Sequence, residues 1–313
     1  MTVAECAEWL KGGDAYLLLT HKNPDGDTVM SAVALCRALR RKNKRAYLYR
    51  NPQIVGKYLG AAEKLFAPES FVPQRVVSVD ISADTLFPRD WIGKVDLCID
   101  HHASNSSFAS MTVVEPESSS CGEIVMQVIR ELTGKLTKAE ATLLYVALTT
   151  DTGAFQYANV NEATYQAAAE LLRFGADHAE VMKTFFRKTS PQRLRLEGEI
   201  YSNLHFYCEG KLVIAQVTQA MLIRSGATED DLDDLAGLSG RAEGAEMNIT
   251  IRELENGHSK ISVRSAPGVS SIIVCEAFGG GGHTMAAGCT IEASPERAEQ
   301  LLLDVIDALK ILK

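Results

Sequence analysis

The sequence predicts an α/β protein of two unequal parts: a larger N-terminal domain on a mainly parallel sheet flanked by helices, and a smaller C-terminal α/β domain, with the active-site cleft between them. Three observations carry this. At 313 residues the chain exceeds what one core usually organises. Its first half holds three short apolar runs, Ala15 to Thr20, Arg75 to Val79 and Lys94 to Ile99, each ending abruptly in His or Asp. Its second half contains Glu209-Gly210 and Asn256-Gly257 between strand-like runs, the latter a strong hairpin signal.

The elements follow in order. A strand at 15–20, a helix at about 28–42 and a strand at 46–49 make a βαβ unit of the length a parallel crossover requires, with Val29, Val33, Leu35, Cys36 and Leu39 on one helical face. Strands near 75–79, 94–99 and 110–114 extend the sheet. A hydroxyl among Ser118, Ser119 and Ser120 caps a helix running through Gly122 to Arg130. Thr137 and Glu140 form a capping box for a helix from Ala139 to about Leu148, which delivers Asp151. Asn161 opens another that ends near Gly175. Ser190-Pro191 fits an N-cap and first helical position in a polar stretch, which places the domains at 1–187 and 197–313 with 188–196 linking them. Beyond lie the two hairpins, a helix at about 270–278, the run Gly279 to His283, a strand, and a closing helix at 295–310.

Composition narrows the function. Residues 1–20 lack a secretory leader, and no apolar run approaches the roughly 18 residues of a membrane span, so a cytoplasmic protein without a membrane partner is expected. Seven cysteines, odd in number and without a C-x-x-C pair, argue against a disulfide framework or zinc site. The net charge of −8 argues against a grip on long duplex nucleic acid, because that affinity comes from Lys and Arg displacing counterions. The one basic cluster, Arg37 to Arg45, closes a helix, where cations suit the dipole. Any phosphorylated substrate should be short. Oligomeric state is left open.

His21, Asp25, Asp27, Asp80, His101 and Asp151 supply imidazoles and carboxylates from separate places in the chain. That is the inventory of a site for two divalent ions, where a bridging carboxylate and flanking ligands serve phosphate-ester hydrolysis. Oxygen-rich ligands with imidazole favour Mn²⁺ or Mg²⁺ over thiolate-selected zinc. Gly26 is expected to let the loop turn sharply, so that Asp25 and Asp27 each reach a different ion. Such acids repel one another without cations, so metal binding and folding should be linked. In the second half, the glycines before His283 allow backbone N–H groups close to a phosphate, and Arg264, at the end of a strand with Ser265, offers a planar fork.

His21-x-x-x-Asp25-x-Asp27, Asp80, Asp100-His101-His102, Asp151-Thr-Gly153 and Gly280-Gly-Gly-His283 together resemble the ordered motifs of the DHH phosphoesterase superfamily, the last in its DHHA1 form. The nearest likeness is to the bacterial nanoRNase and pAp-phosphatase branch. The resemblance implies a hydrolase that cleaves short oligoribonucleotides, linear dinucleotides or pAp to mononucleotides through a two-metal activated water. It implies that His21, Asp25 and Asp80 hold one Mn²⁺ and that Asp27, Asp80, His101 and Asp151 hold the other, with Asp80 bridging. Asp100 would orient His101, and His102 would contact the scissile phosphate as general acid. Arg264, Ser265, Gly281, Gly282 and His283 would grip the substrate, with Tyr157 as an aromatic beside it. Between Arg264 and the glycines, the stretch Ser265 to Ser271 lacks the acidic residue of many relatives, which touches substrate preference. A cyclic-dinucleotide phosphodiesterase, a single-strand exonuclease and a non-catalytic nucleotide sensor are the alternatives.

Overall fold

The computed structural model describes residues 1–54, 56–232 and 235–312, with the backbone alone at Asp230, Ala236 and His283. The chain divides into two compact units, Met1–Lys188 and Thr189–Lys313.

The first unit runs α1 (Val3–Lys11), β1 (Tyr16–Leu19), α2 (Gly26–Arg41), β2 (Ala46–Leu48), α3 (Gly56–Ala62), β3 (Arg75–Val79), β4 (Leu97–Asp100), β5 (Met111–Val114), α4 (Cys121–Thr133), α5 (Lys138–Asp151), α6 (Glu162–Arg173) and α7 (His178–Val181). Its five strands are all parallel, in the order β2-β1-β3-β4-β5. β1 and β4 are buried along their whole length, as strands covered on both faces must be, and this is why their sequences are unbroken apolar runs rather than alternating ones. The main core joins β1, β3 and β4 to α2, α4 and α5 through Leu18, Val77, Ile99, Leu35, Ile129 and Leu144. A second, smaller cluster, with Leu17, Leu19, Ile81 and Phe87, covers the opposite face.

Two helix ends differ from the expectation in ways that matter for the site. α2 starts at Gly26, so Asp25 becomes its N-cap and Asp27 lies in its first turn. α5 continues to Asp151, which is therefore the last helical residue. The short helices α1 and α3 were not anticipated. α1 buries only Cys6, Ala7 and Leu10, too narrow a stripe to stand out, although Thr2 and Glu5 form a capping box that starts it.

The second unit continues with α8 (Pro191–Ser202), β6 (His205–Tyr207), β7 (Leu212–Val217), α9 (Gln219–Ser225), β8 (Met247–Glu253), β9 (Ser259–Ser265), α10 (Ser271–Glu276), β10 (Gly281–His283), β11 (Ala286–Ile291) and α11 (Pro295–Ala308). Its sheet has the order β10-β11-β9-β8-β7-β6, antiparallel except where β7 and β8 run together. Ile249, Ile251, Ile261 and Val263 turn inward to Val274, Leu302 and Ile306 of α10 and α11. Among the described residues no helix is long and apolar enough to cross a membrane.

The run Gly279 to His283 is not simply a loop. Gly281–His283 is an edge strand in register with β11, Gly281 opposite Gly288 and His283 opposite Ala286. Two of its glycines answer to packing: a Cβ at Gly280 would stand 2.3 Å from the Gly288 carbonyl oxygen, and one at Gly282, whose φ is +144°, 2.5 Å from that of Ala286. Gly281 faces open space. Gly280→Ala is therefore expected to cost about 1–3 kcal/mol in chemical denaturation, as overpacking against backbone does, and Gly281→Ala almost nothing.

Candidate metal centre

In a sheet of order 2-1-3-4-5 the connections reverse direction between the first and third strands, and ligands collect beyond the carboxyl ends there. His21 follows β1 and Asp80 follows β3 at that point. Asp80 sits at φ +60°, a conformation that costs an L-residue about 1–2 kcal/mol, and its N–H donates to the Ile99 carbonyl at 2.8 Å. Asp100 ends β4, and His101 and His102 come next. α2 brings Asp25 and Asp27, and the last turn of α5 brings Asp151.

These residues converge. His21 Nε2 lies 3.7 Å from Asp25 Oδ1 and 3.7 Å from Asp80 Oδ2, while His101 Nε2 lies 3.5 Å from Asp80 Oδ1 and 3.5 Å from Asp151 Oδ2. Their ligand atoms form three overlapping groups, His21 with Asp25 and Asp80, Asp27 with His101 and Asp151, and Asp80 with His101 and His102, each within 4.8 Å. Asp80 belongs to two of the three. Asp27 is wholly buried and held by α4: its Oδ2 accepts from Cys121 N at 2.6 Å, and its Oδ1 from Gly122 N and Ser31 Oγ, both at 2.9 Å. A helix N-terminus presents unpaired N–H groups, and a carboxylate satisfies them. Gly26 has a role other than the expected sharp turn. It is helical, and a Cβ there would meet the Thr150 side chain at 2.5 Å, so glycine lets α2 approach the α5 turn that carries Asp151.

The family model described as the N-terminal domain of the DHH family matches residues 16–148, and the DHHA1 domain matches residues 209–310. The bifunctional oligoribonuclease and PAP phosphatase NrnA of Thermus thermophilus is 33% identical over 302 residues, covering 91% of this chain and 87% of its own. The chain belongs to the DHH family. The NrnA of Bacillus subtilis is 24% identical over 93% of this chain and 94% of its own. An exopolyphosphatase-related protein of Bacteroides fragilis has the same fold, with a TM-score of 0.85 and 21% identity over 98% of this chain and 96% of that one.

In this DHH protein the backbone sets the histidine tautomers. His21 Nδ1 pairs with the Lys22 carbonyl at 2.7 Å and His101 Nδ1 with the Ser118 carbonyl at 3.0 Å. A carbonyl only accepts, so each Nδ1 carries a hydrogen and each Nε2 is the nitrogen that faces the carboxylates, where it can ligate a metal once it is unprotonated. Asp100 does not orient the His101 ring, as the resemblance implied. Its Oδ1 accepts from the His101 backbone N–H at 2.9 Å and pairs with His102 Nδ1 at 2.7 Å, and its Oδ2 accepts from Asn105 Nδ2 at 2.6 Å. The partner Asp100 positions is His102. Sequence reasoning missed Ser31, Asn51, Asn105, the Ser118 carbonyl and Asn159. Asn51 Nδ2 donates to the His21 carbonyl at 2.9 Å, and Asn159 Nδ2 to the Asp151 carbonyl at 3.1 Å. Single polar residues in loops carry no spacing signal that would have marked them.

The electrostatics follow from crowding. Burial first, then the neighbouring acids, pushes Asp27 and Asp80 well above the usual carboxylate range. Burial and Asp25 push Asp151 up to about 7. Burial also acts upward on Asp25, but the His21 hydrogen bond and charge outweigh it and hold that carboxyl low. Burial and the charge of His102 lower His101, whereas the bond to Asp100 raises His102. Asp80 Oδ1 is buried with no hydrogen-bond partner. An orphaned carboxylate oxygen facing the His101 Nε2 and further acids fits a divalent cation, and these acidic and histidine groups are able to bind metal.

Tyr157 is 53% exposed, its ring where a Cβ at Gly153 would fall. In the second unit Arg264 is exposed and donates from Nη1 to the Val263 carbonyl at 3.1 Å, and Ser265 Oγ donates to the Val269 carbonyl at 2.7 Å. The His283 side chain lies outside the described residues.

A carboxyl group with a raised folded-state pKa binds protons that the unfolded chain has released. For Asp151 this window runs from 3.8 to about 7, and across it rising pH removes stability from the metal-stripped protein. Calorimetry should show Mn²⁺ raising Tm more at about pH 8 than at about pH 5, where protons compete for the same oxygens. Equal shifts at both would contradict a metal centre built on these acids.

Proposed function

We propose that this DHH protein is a metal-dependent phosphoesterase that hydrolyses short linear oligoribonucleotides to 5′-mononucleotides and pAp to AMP, with two Mn²⁺ ions as cofactor. The observation that carries this reading is the convergence of His21, Asp25, Asp27, Asp80, His101 and Asp151. The names of the NrnA relatives and the length over which they align support the substrate class.

His21 and Asp25 with Asp80 would hold one ion, and Asp27, His101 and Asp151 with Asp80 the other. Such a pair supplies charge neutralisation at phosphorus and a nucleophile near neutral pH. The chain's own residues do the rest. Asp27, fixed by two amides and a hydroxyl, cannot swing away, and the Nδ1 bonds of His21 and His101 keep their Nε2 atoms aimed. His102, with Nδ1 on Asp100, has Nε2 to offer a proton to the leaving oxygen, and Asp100 steadies the charged imidazole before transfer. Arg264 would grip a phosphate of the substrate.

Release of AMP from a linear diadenylate in Mn²⁺ tests this. Asp80→Asn is expected to reduce bound metal and lower turnover by a factor of at least about 10³, whereas Arg264→Ala is expected mainly to raise KM. Diadenylate binding without turnover would instead favour a nucleotide sensor. A second test separates the roles of the histidine pair: Asn105→Ala should lower kcat and shift the acidic-form limb of its pH profile without changing metal content, since Asn105 touches Asp100 and not the ligand atoms.

A further inference from the structure

One face of the second unit's sheet packs beneath α10 and α11; the other is apolar at β7, where Ala215 and Val217 meet Leu196, Ile200 and Met221 of α8 and α9, and turns polar from β8 onward. Residues two apart along a strand share a face, so Lys260, Ser262 and Arg264 of β9 stand in a row opposite to buried Ile261 and Val263. Register extends the row sideways. Lys260 lies between Arg252 and Thr290, Ser262 between Thr250 and Gly288, and Arg264 between Asn248 and Ala286. On the β8 side the face is closed: Thr250 is 5% exposed, and Ser239 Oγ reaches Asn248 Oδ1 at 3.4 Å. On the β9 and β11 side it is open, with Lys260, Arg264, Gly288 and Thr290 exposed.

The charges here are unequal in their commitments. Arg252 is spent on Glu229, at 2.5 and 2.7 Å. Among the described residues Lys260 and Arg264 have no carboxylate partner, in a chain whose net charge is −8. The buried hydroxyl of Thr250, opposite Ser262, has no hydrogen-bond partner either. A cavity of about 590 Å³ opens along this strip, with Phe278 and Gly280 at its side, within the roughly 300–1,000 Å³ typical of small-ligand sites. Gly288, bare of side chain, leaves room at its floor.

Resting on the function proposed above, we infer that β9 is a phosphate ladder: Arg264 holds one phosphate, Lys260 holds the phosphate two links further along, and Ser262 faces the one between. Four residues of strand span ~13 Å, about the reach of two internucleotide links in an extended single strand. The polar strip therefore favours linear oligonucleotides of about four residues over dinucleotides and pAp, with Lys260 as the length-reading residue. It fits single strands because a row of cations one strand wide tracks one backbone.

The experiment measures binding of labelled di- and tetra-adenylate by anisotropy in EDTA, and KM and kcat for both in Mn²⁺. Lys260→Glu is expected to weaken tetranucleotide binding about tenfold and dinucleotide binding under about twofold, with kcat unchanged for both. The log–log salt dependence of tetranucleotide binding should become shallower by about 0.7, one phosphate contact on a single strand. Lys260→Arg should restore both, and Lys260→Gln should give the same ordering if the charge reversal perturbs folding. Equal losses at the two lengths, or none, would overturn the ladder. A wild-type chain that turns over neither oligomer, yet binds them with a length preference lost in Lys260→Glu, would overturn the phosphoesterase reading and support the ladder.

Discussion

Four carboxylates brought to one place repel one another, and in a part-buried setting they repel strongly because little water is present to screen them. The first unit is arranged to impose this crowding rather than relieve it. Asp27 is pinned by the N-terminal amides of α4, Asp80 is held in a left-handed conformation by its bond to β4, and Asp151 ends a helix that packs on α2 through a glycine. Each device spends stability on a geometry that only a cation makes favourable. Protons can serve in its place at low pH, which is the sense of the raised carboxyl pKa values.

The three histidines of the cluster are divided by their neighbours. His21 and His101 give their Nδ1 hydrogens to backbone carbonyls, which leaves Nε2 facing the acids. His102 instead pairs with a carboxylate that is itself tied to Asn105, and so favours its charged form. Two adjacent residues of the same type, 4.6 Å apart between ring centroids, are thus set to opposite tasks by what accepts from their second nitrogen. Asp100 matters here because its carboxylate supports the His102 ring, while the His101 ring is held by the Ser118 carbonyl.

Much of this was legible in the chain. Parallel strands between helices leave unbroken apolar runs, and a run that halts at Asp80 or at Asp100-His101-His102 marks a strand's carboxyl end with chemistry waiting there. The capping box at Thr137 announced its helix because orphaned N–H groups need local partners, but the expected hydroxyl cap of α4 is absent: Ser120 is its N-cap without a side-chain bond, and the Cys121 and Gly122 amides go to the distant Asp27 carboxylate. What stayed hidden depends on approach between distant segments. Nothing local to Gly26 distinguishes a turn glycine from one that admits Thr150, nor Gly280 from its neighbour Gly281. Likewise the parallel pairing of β7 with β8 follows from a return through α9 that no periodicity reports.

The charged groups singled out in the two units differ in kind: Lys260 and Arg264 of the second are exposed cations, and Asp27 and Asp80 of the first are buried acids. The central claim is that Asp80 is shared between two cations. Electron paramagnetic resonance of the protein with two equivalents of Mn²⁺ tests it directly. A shared carboxylate is expected to couple the spins, so that the six-line signal of isolated Mn²⁺ is replaced by a broad exchange-coupled spectrum that Asp80→Asn abolishes. An undiminished six-line signal at full loading of the unaltered protein would contradict the account.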